Sequence, residues 1–398
     1  MSDVQYKQGQ KNIVLLAICQ GLFSSDKSIM ILLSGLVGVV LASDKSLATL
    51  PVTATWLGGL LMTVPASFIM KRIGRKLGFQ LGALLTILGS LLACYAIWIG
   101  YFPLLLVGTF ISGANGGFAQ FFRFAAVDCV AEELKPKAIS LVLTGGVLAA
   151  FIGPKLAYWT MDLFSVAFVG AYLTQAIMAM VSIILLIFTD IPKPSTEEIH
   201  GPTRPFPEII RQPIFMIALL AGVMGYGLMS LIMTATPLAM QGCGFAVSDA
   251  AFVIQWHLLA MFVPSFFTGS LIKRYGTVPI IQSGFVFFVV CSLLALDGLD
   301  LHHFSVALIL LGLGWNFAFV GGSTLLLKTY WPAEKAQVQA LNDFSLLGTV
   351  VLTSAISGGL LQNLGWDSLH WLALPLSVLS LVFIFFLDKK GTAVAQSS

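Results

Sequence analysis

The chain has 398 residues, of which 58% are hydrophobic and 10% charged, and its formal net charge is +3. Mean hydropathy is +0.93. A soluble domain carries about 25% charged residues, so this composition excludes a soluble globular enzyme and a basic nucleic-acid binder, while the long unalternating apolar runs exclude an outer-membrane barrel.

A helix needs about 20 mostly apolar residues to cross the hydrocarbon core. Twelve such spans are expected, near 12–41, 48–70, 77–98, 103–127, 138–160, 165–189, 213–240, 246–272, 276–298, 302–327, 338–361 and 368–387. The N-terminus is polar to Asn12, and no small-residue cleavage pattern follows a short apolar core, so the first span is expected to stay. Of the 21 Lys and Arg, Lys27, Arg123 and Lys155 fall inside spans and only Lys45 falls in an odd-to-even loop. All others lie in the N-terminus, the even-to-odd loops or the tail, which places both termini in the cytoplasm and the chain in a bacterial inner membrane. The five cysteines are scattered without a CxxC. They predict neither a disulfide framework nor a metal cluster, and no cofactor or metal is expected.

The Pro-rich, charged stretch DIPKPSTEEIHGPTRPFPEIIRQ (190–212) separates six spans from six. The fold expected is an all-α membrane protein, twelve transmembrane helices in two pseudo-symmetric six-helix bundles. The bundles are 1–189 and 213–398, with 190–212 as a cytoplasmic linker. The halves repeat each other: KRIG (71–74) closes the second span and KRYG (273–276) the eighth, and GANGGF (113–118) parallels GWNFAF (314–319). Val64-Pro65 pairs less closely with Val263-Pro264. Two parallel halves suggest a secondary transporter with its site near the midplane, and the absence of GxxxxGK[ST] speaks against ATP hydrolysis.

The twelve spans, the linker and SFIMKRIGRK (67–76) together resemble the major facilitator superfamily over essentially the whole chain. The resemblance implies alternating access by a monomeric permease. Ser67 and Lys71 stand where the family's signature loop has Gly and Asp. In AFIGPKLA (150–157), Ala149 and Ala157 replace glycines of the antiporter motif, which disfavours drug–proton antiport. FRFAAVD (122–128), QWHLLAMFVPSFFTGSLIKRYG (255–276), GWNF (314–317) and QALNDF (339–344) resemble one bacterial branch. Neighbouring branches move compounds as different as riboflavin and carboxylate siderophores.

Polar side chains in the spans are the candidate site. A charge at a helix centre costs about 2.5–3.5 kcal/mol on insertion scales, and consecutive residues point about 100° apart. Asp26 and Lys27 therefore cannot fully answer each other; one lines a hydrated route, or both pin helix packing. Arg123, sharing a helix face with Gln120, either binds an anionic group or pairs with Asp128 or snorkels. Lys155, after Gly153-Pro154, offers a second cation to the cavity or snorkels outward. Asn115 and Asn316 hold equivalent positions and suit cargo binding or packing. Trp256 and Trp315 either stack on a flat cargo or fill the core. His257 carries a coupled proton or packs; Asp343 carries a proton, closes a gate or caps its helix. Gly225, Gly227 and Pro237 suggest a flexible seventh span. The excess of buried cations points to an anionic or carboxylated organic solute, siderophore- or flavin-like, moved by proton coupling. The alternatives are a drug or metabolite efflux permease and a transporter-like receptor without flux. Besides membrane lipid, a small-molecule substrate is the only partner expected, with no nucleic acid.

Overall fold

The computed structural model describes residues 3–43, 47 and 50–397; Lys45, the lone cation of the odd-to-even loops, lies outside them. Among the described residues there is no β-strand and there are eighteen α-helices. These are α1 (Asp3–Leu41), α2 (Leu50–Ile73), α3 (Arg75–Ile99), α4 (Phe102–Gly113), α5 (Asn115–Ala119), α6 (Phe122–Asp128), α7 (Lys135–Leu143), α8 (Gly145–Thr160) and α9 (Val169–Ile187), followed by α10 (Thr196–His200), α11 (Phe206–Ile210), α12 (Pro213–Gly242), α13 (Val247–Phe262), α14 (Ser265–Tyr275), α15 (Thr277–Asp297), α16 (Leu301–Leu326), α17 (Lys335–Leu364) and α18 (Trp366–Ser397).

Among the described residues, eleven segments are long and apolar enough to cross a membrane, and the bent pair α13–α14, taken as one span, makes a twelfth. The eighth span was expected as one helix over 246–272; it bends by 41° between α13 and α14. The bend falls at Pro264, which has no N–H and whose ring clashes with the preceding turn. Past it, the Phe266 and Phe267 N–H groups donate to the Val263 and Pro264 carbonyls at 3.1 and 2.9 Å, a tighter turn than an α-helix makes. The fourth span is interrupted at Ala114 and again at Gln120–Phe121, and the fifth at Thr144. By contrast α12 runs unbroken through Gly225, Gly227 and Pro237, and α2 through Pro65.

The chain forms two compact units. Unit 1 is Met1–Leu134, Leu141–Gly201 and Gln339–Leu347; unit 2 is Lys135–Ser140, Pro202–Val338 and Gly348–Ser398. In unit 1, α1 packs along α8, α2 along α4, and α3 along α4 and α9. Small residues let these backbones close in: a Cβ on Gly145 of α8 would collide with the Ala17 carbonyl of α1. In unit 2, α16 is the central helix, packed by α12, α13 and α15.

The two KRxG segments share a physical cause. Gly74 has φ 88° and ψ 160°, and Gly276 φ 91° and ψ 161°. That conformation is essentially open to glycine alone, and it turns each chain from one span straight into the next. Polar side chains fasten the ends of the units. In unit 1, Lys76 Nζ donates to the Ile187 and Thr189 carbonyls at 2.8 and 2.9 Å, closing the C-terminus of α9. In unit 2, the linker's Arg204 grips buried Glu334 through its Nε (3.0 Å), its Nη2 (2.6 Å) and its backbone N–H (2.7 Å). Its guanidinium lies 4.7 Å over Trp331, and the Glu334 contact raises its pKa above the usual arginine value.

Candidate functional site

Helix α1 delivers Asp26 and Lys27 to different surroundings inside unit 1, as a turn of about 100° between them requires. Asp26 borders a small cavity, ≈ 20 Å³, with Phe23, Phe79, Thr86, Asn115 and Gln175 among its other walls. That volume holds about one water. The Asp26 Oδ1 and Thr86 Oγ1 atoms are buried without a hydrogen-bond partner among the described residues. Gln175 Nε2 donates to the Asp26 backbone carbonyl at 3.3 Å and so braces α1 against α9 at this level. Asn115 reaches the cavity because Gly82 makes room: a Cβ on Gly82 would lie 2.6 Å from the Asn115 Oδ1.

Lys27 is half-buried. Its Nζ sits 4.9 Å from the Trp56 ring centroid and 5.5 Å from that of Phe23. Aromatic faces attract the charge by about 0.5–2 kcal/mol but do not fill three N–H donors, and no hydrogen-bond acceptor meets Lys27 among the described residues. A Cβ on Gly116 would stand 3.5 Å from the Nζ. The Lys27 ammonium thus lies over the ring of Phe23, which shares its cavity with the Asp26 carboxylate and the Asn115 carboxamide.

Arg123 lies elsewhere in unit 1 and is already engaged. It forms a buried ion pair with Asp343, donates to the Gln120 carbonyl at 2.5 Å and its Oε1 at 3.3 Å, and lies 4.3 Å over Phe124. Asn342 Nδ2 donates to Asp343 Oδ1 at 2.9 Å. Asp128, weighed in the sequence as the partner of Arg123, receives Arg75 Nε at 2.6 Å, and Arg75 Nη2 reaches Gln339 Oε1 at 3.0 Å. Sequence reasoning passed over Arg75; its place in the GRK segment was the available signal. Lys155 is exposed on α8 and does not border the cavity.

Unit 2 holds the remaining candidates. Asn316 is buried with its amide occupied: Nδ2 donates to the Met261 carbonyl (2.7 Å) and Ser265 Oγ (2.6 Å), and Oδ1 accepts from Thr268 Oγ1 (2.6 Å). Met261, Ser265 and Thr268 flank the break at Pro264, so Asn316 braces the bent span. Trp315 stacks on Phe319 at 4.9 Å and meets Tyr226 and Phe262 edge-on at 5.2 and 5.8 Å. Its buried Nε1 has no partner among the described residues. Trp256 is 46% exposed beside Phe252, so the two tryptophans lie in different surroundings. His257 is buried, its Nδ1 2.8 Å from the Leu308 carbonyl and its Nε2 unpartnered among the described residues.

The family model of the Major Facilitator Superfamily matches residues 16–342 and 229–398. This chain belongs to the Major Facilitator Superfamily. It is a multi-pass membrane transporter, and that family's members move small molecules rather than catalyse reactions. It is 42% identical over 388 residues to the riboflavin transporter RfnT of Brucella anthropi, covering 96% of this chain and 98% of that one. It is 24% identical to the purine ribonucleoside efflux pump NepI of Escherichia coli K12, covering 86% and 85%. The fold matches the crystal structure of the superfamily transporter FucP with a TM-score of 0.73 at 17% identity, over 94% and 98% of the two chains.

Proposed function

We propose that this superfamily member is a secondary active transporter of riboflavin or a closely related flavin. The observation that carries the proposal is the 42% identity to a riboflavin transporter, spread over 96% of this chain and nearly all of the relative. The more distant purine ribonucleoside pump points the same way in chemical terms, since a purine ribonucleoside is also a flat nitrogen heterocycle bearing a hydroxylated five-carbon sugar group.

A flavin without a phosphate is uncharged, and that replaces the lean toward an anionic cargo. The lean rested on Lys27, Arg123 and Lys155. Arg123 is answered by buried Asp343, and Lys155 is exposed, which leaves Lys27 as the cation for a polar ring edge. Phe23 and Trp56 beside it suit a flat ring.

The transporter works as a monomer in a bacterial cytoplasmic membrane, with both termini inside, as its loop charges favour. The two six-span halves alternate access to a midplane site. Protons are the coupling ion, and Asp343 is the assigned carrier: protonation would cancel its attraction for Arg123 and loosen the start of α17 within unit 1.

Riboflavin fluorescence makes the test direct. Purified protein in proteoliposomes is expected to move riboflavin down an imposed gradient, faster when a pH gradient is added. Liposomes showing neither flux nor binding above protein-free controls would overturn the flavin reading. Flux indifferent to the pH gradient and to a protonophore would remove the proton while leaving the cargo. Comparing right-side-out with inverted vesicles distinguishes uptake from efflux.

A further inference from the structure

We propose that Asp26, Lys27 and Asn115 form a subsite that reads the imide edge of the flavin ring, the run C2=O, N3–H, C4=O. The proposal rests on the flavin reading above and names the part of the cargo that this chain recognises.

The three side chains supply the complementary groups. Asp26 Oδ1 is an acceptor, buried and unpartnered among the described residues, and so positioned to take the N3–H. A buried acceptor left unmade is costly, so a ligand that supplies the donor is favoured. Lys27 is a donor to one carbonyl: its Nζ is held by the faces of Trp56 and Phe23 and meets no acceptor among the described residues. Asn115 lines the Asp26 cavity, while its neighbour Gly116 lies directly under the Lys27 ammonium. Its amide reaches the second carbonyl. Phe23 belongs to both environments, as a wall of the cavity and as a ring beneath Lys27.

An acceptor and a cation on consecutive residues of one helix, around one aromatic ring, match an edge that alternates acceptor, donor, acceptor. A single metal ion would be poorly served here, because the Lys27 charge stands next to Asp26. The cavity is water-sized, so the ring edge enters as the half-buried side chain of Phe23 turns aside.

The test uses riboflavin and 3-methylriboflavin as competitors of labelled riboflavin flux in proteoliposomes. The methyl group removes the one donor of the edge. A site built to hydrogen-bond a group strongly rejects the analogue lacking it, so the methylated flavin is expected to compete at least about tenfold more weakly with wild type. Asp26→Ala should weaken riboflavin and bring the two flavins within about twofold of each other. Lys27→Met should raise the competing concentrations of both flavins and keep their ratio, whereas general loss of structure would lower flux and leave those concentrations unchanged. If Asp26→Ala does not fold, the similarly sized Asp26→Leu, which also lacks an acceptor, carries the same comparison. Wild type that moves riboflavin but treats both flavins alike overturns the subsite and leaves the flavin transporter standing. An Asp26 variant that keeps the full discrimination overturns it too. No riboflavin flux or binding at all overturns both readings together.

Discussion

Asn316 spends its whole amide on the protein, while its counterpart Asn115, one repeat earlier, borders the cavity of Asp26. Equivalent residues of a duplicated half therefore do different work: one braces a broken helix, the other is available to cargo.

Their substitutions should separate accordingly. Asn316→Ala takes a donor from the buried Met261 carbonyl and Ser265 hydroxyl and leaves the Thr268 hydroxyl only the Pro264 carbonyl, so it should destabilise unit 2 by about 2–4 kcal/mol. Asn115→Ala should leave the melting temperature in detergent within a few degrees and raise the KM for riboflavin several-fold. Thermal unfolding and flux measured on the same two preparations check this; equal loss of stability in both would contradict it.

The Arg123–Asp343 pair makes a sharper prediction. Removing one partner of a buried pair leaves an unanswered charge and costs about 3–5 kcal/mol, whereas apolar replacement of both is often neutral. Arg123→Met and Asp343→Leu should each lower the melting temperature, and the double variant should recover most of the loss. Transport should fail in all three, because the proposed proton carrier is gone or bound to no partner. A double-mutant cycle on stability with no coupling between the two positions would contradict the pairing.

Gly74 and Gly276 test the backbone of the repeat. Neither has a close neighbour that a methyl would strike, the nearest being Pro194 at 3.7 Å and Pro279 at 3.6 Å. Alanine at either position should still cost about 1–3 kcal/mol through φ alone. Gly359→Ala is the control: it lies inside α17 with open space around it, and should be neutral or slightly stabilising. Melting temperatures of the three variants decide the point.

Arg204→Ala should release the second part of the linker, since it uncouples a buried Glu334 carboxylate from its guanidinium. Limited digestion in detergent with a glutamate-specific protease, whose sites include Glu197, Glu198 and Glu208, should then cut the 190–212 region markedly faster than in wild type, with the spans intact. Unchanged cleavage kinetics would show that the pair does not hold the linker.

Much of this architecture is legible in the amino-acid sequence. Apolar run length locates the spans, and the KRIG and KRYG segments mark a repeat whose reason is a glycine-only turn. The charges of the first span are visible as a cost that function or packing must offset. What stays hidden is the choice of partners. Arg75 meets Asp128 at a separation of 53 residues and Arg123 meets Asp343 at 220, and no local pattern selects between such pairings. The break at Pro264 is hidden for a related reason. Pro65 sits in a matching place yet leaves α2 continuous, so a proline alone does not dictate a break; the side-chain brace from α16 distinguishes the second site from the first. Likewise Asn115 and Asn316 look equivalent in the sequence, because what separates them is the filling of their hydrogen bonds by residues far along the chain.

The bent eighth span has a mechanical consequence. Its corner is secured by one carboxamide and two hydroxyls, groups that can exchange partners individually, whereas an intact helical ladder must break several backbone bonds together to bend. The sector from α13 to α14 can therefore act as a joint that swings by small steps, with Asn316 as its pin.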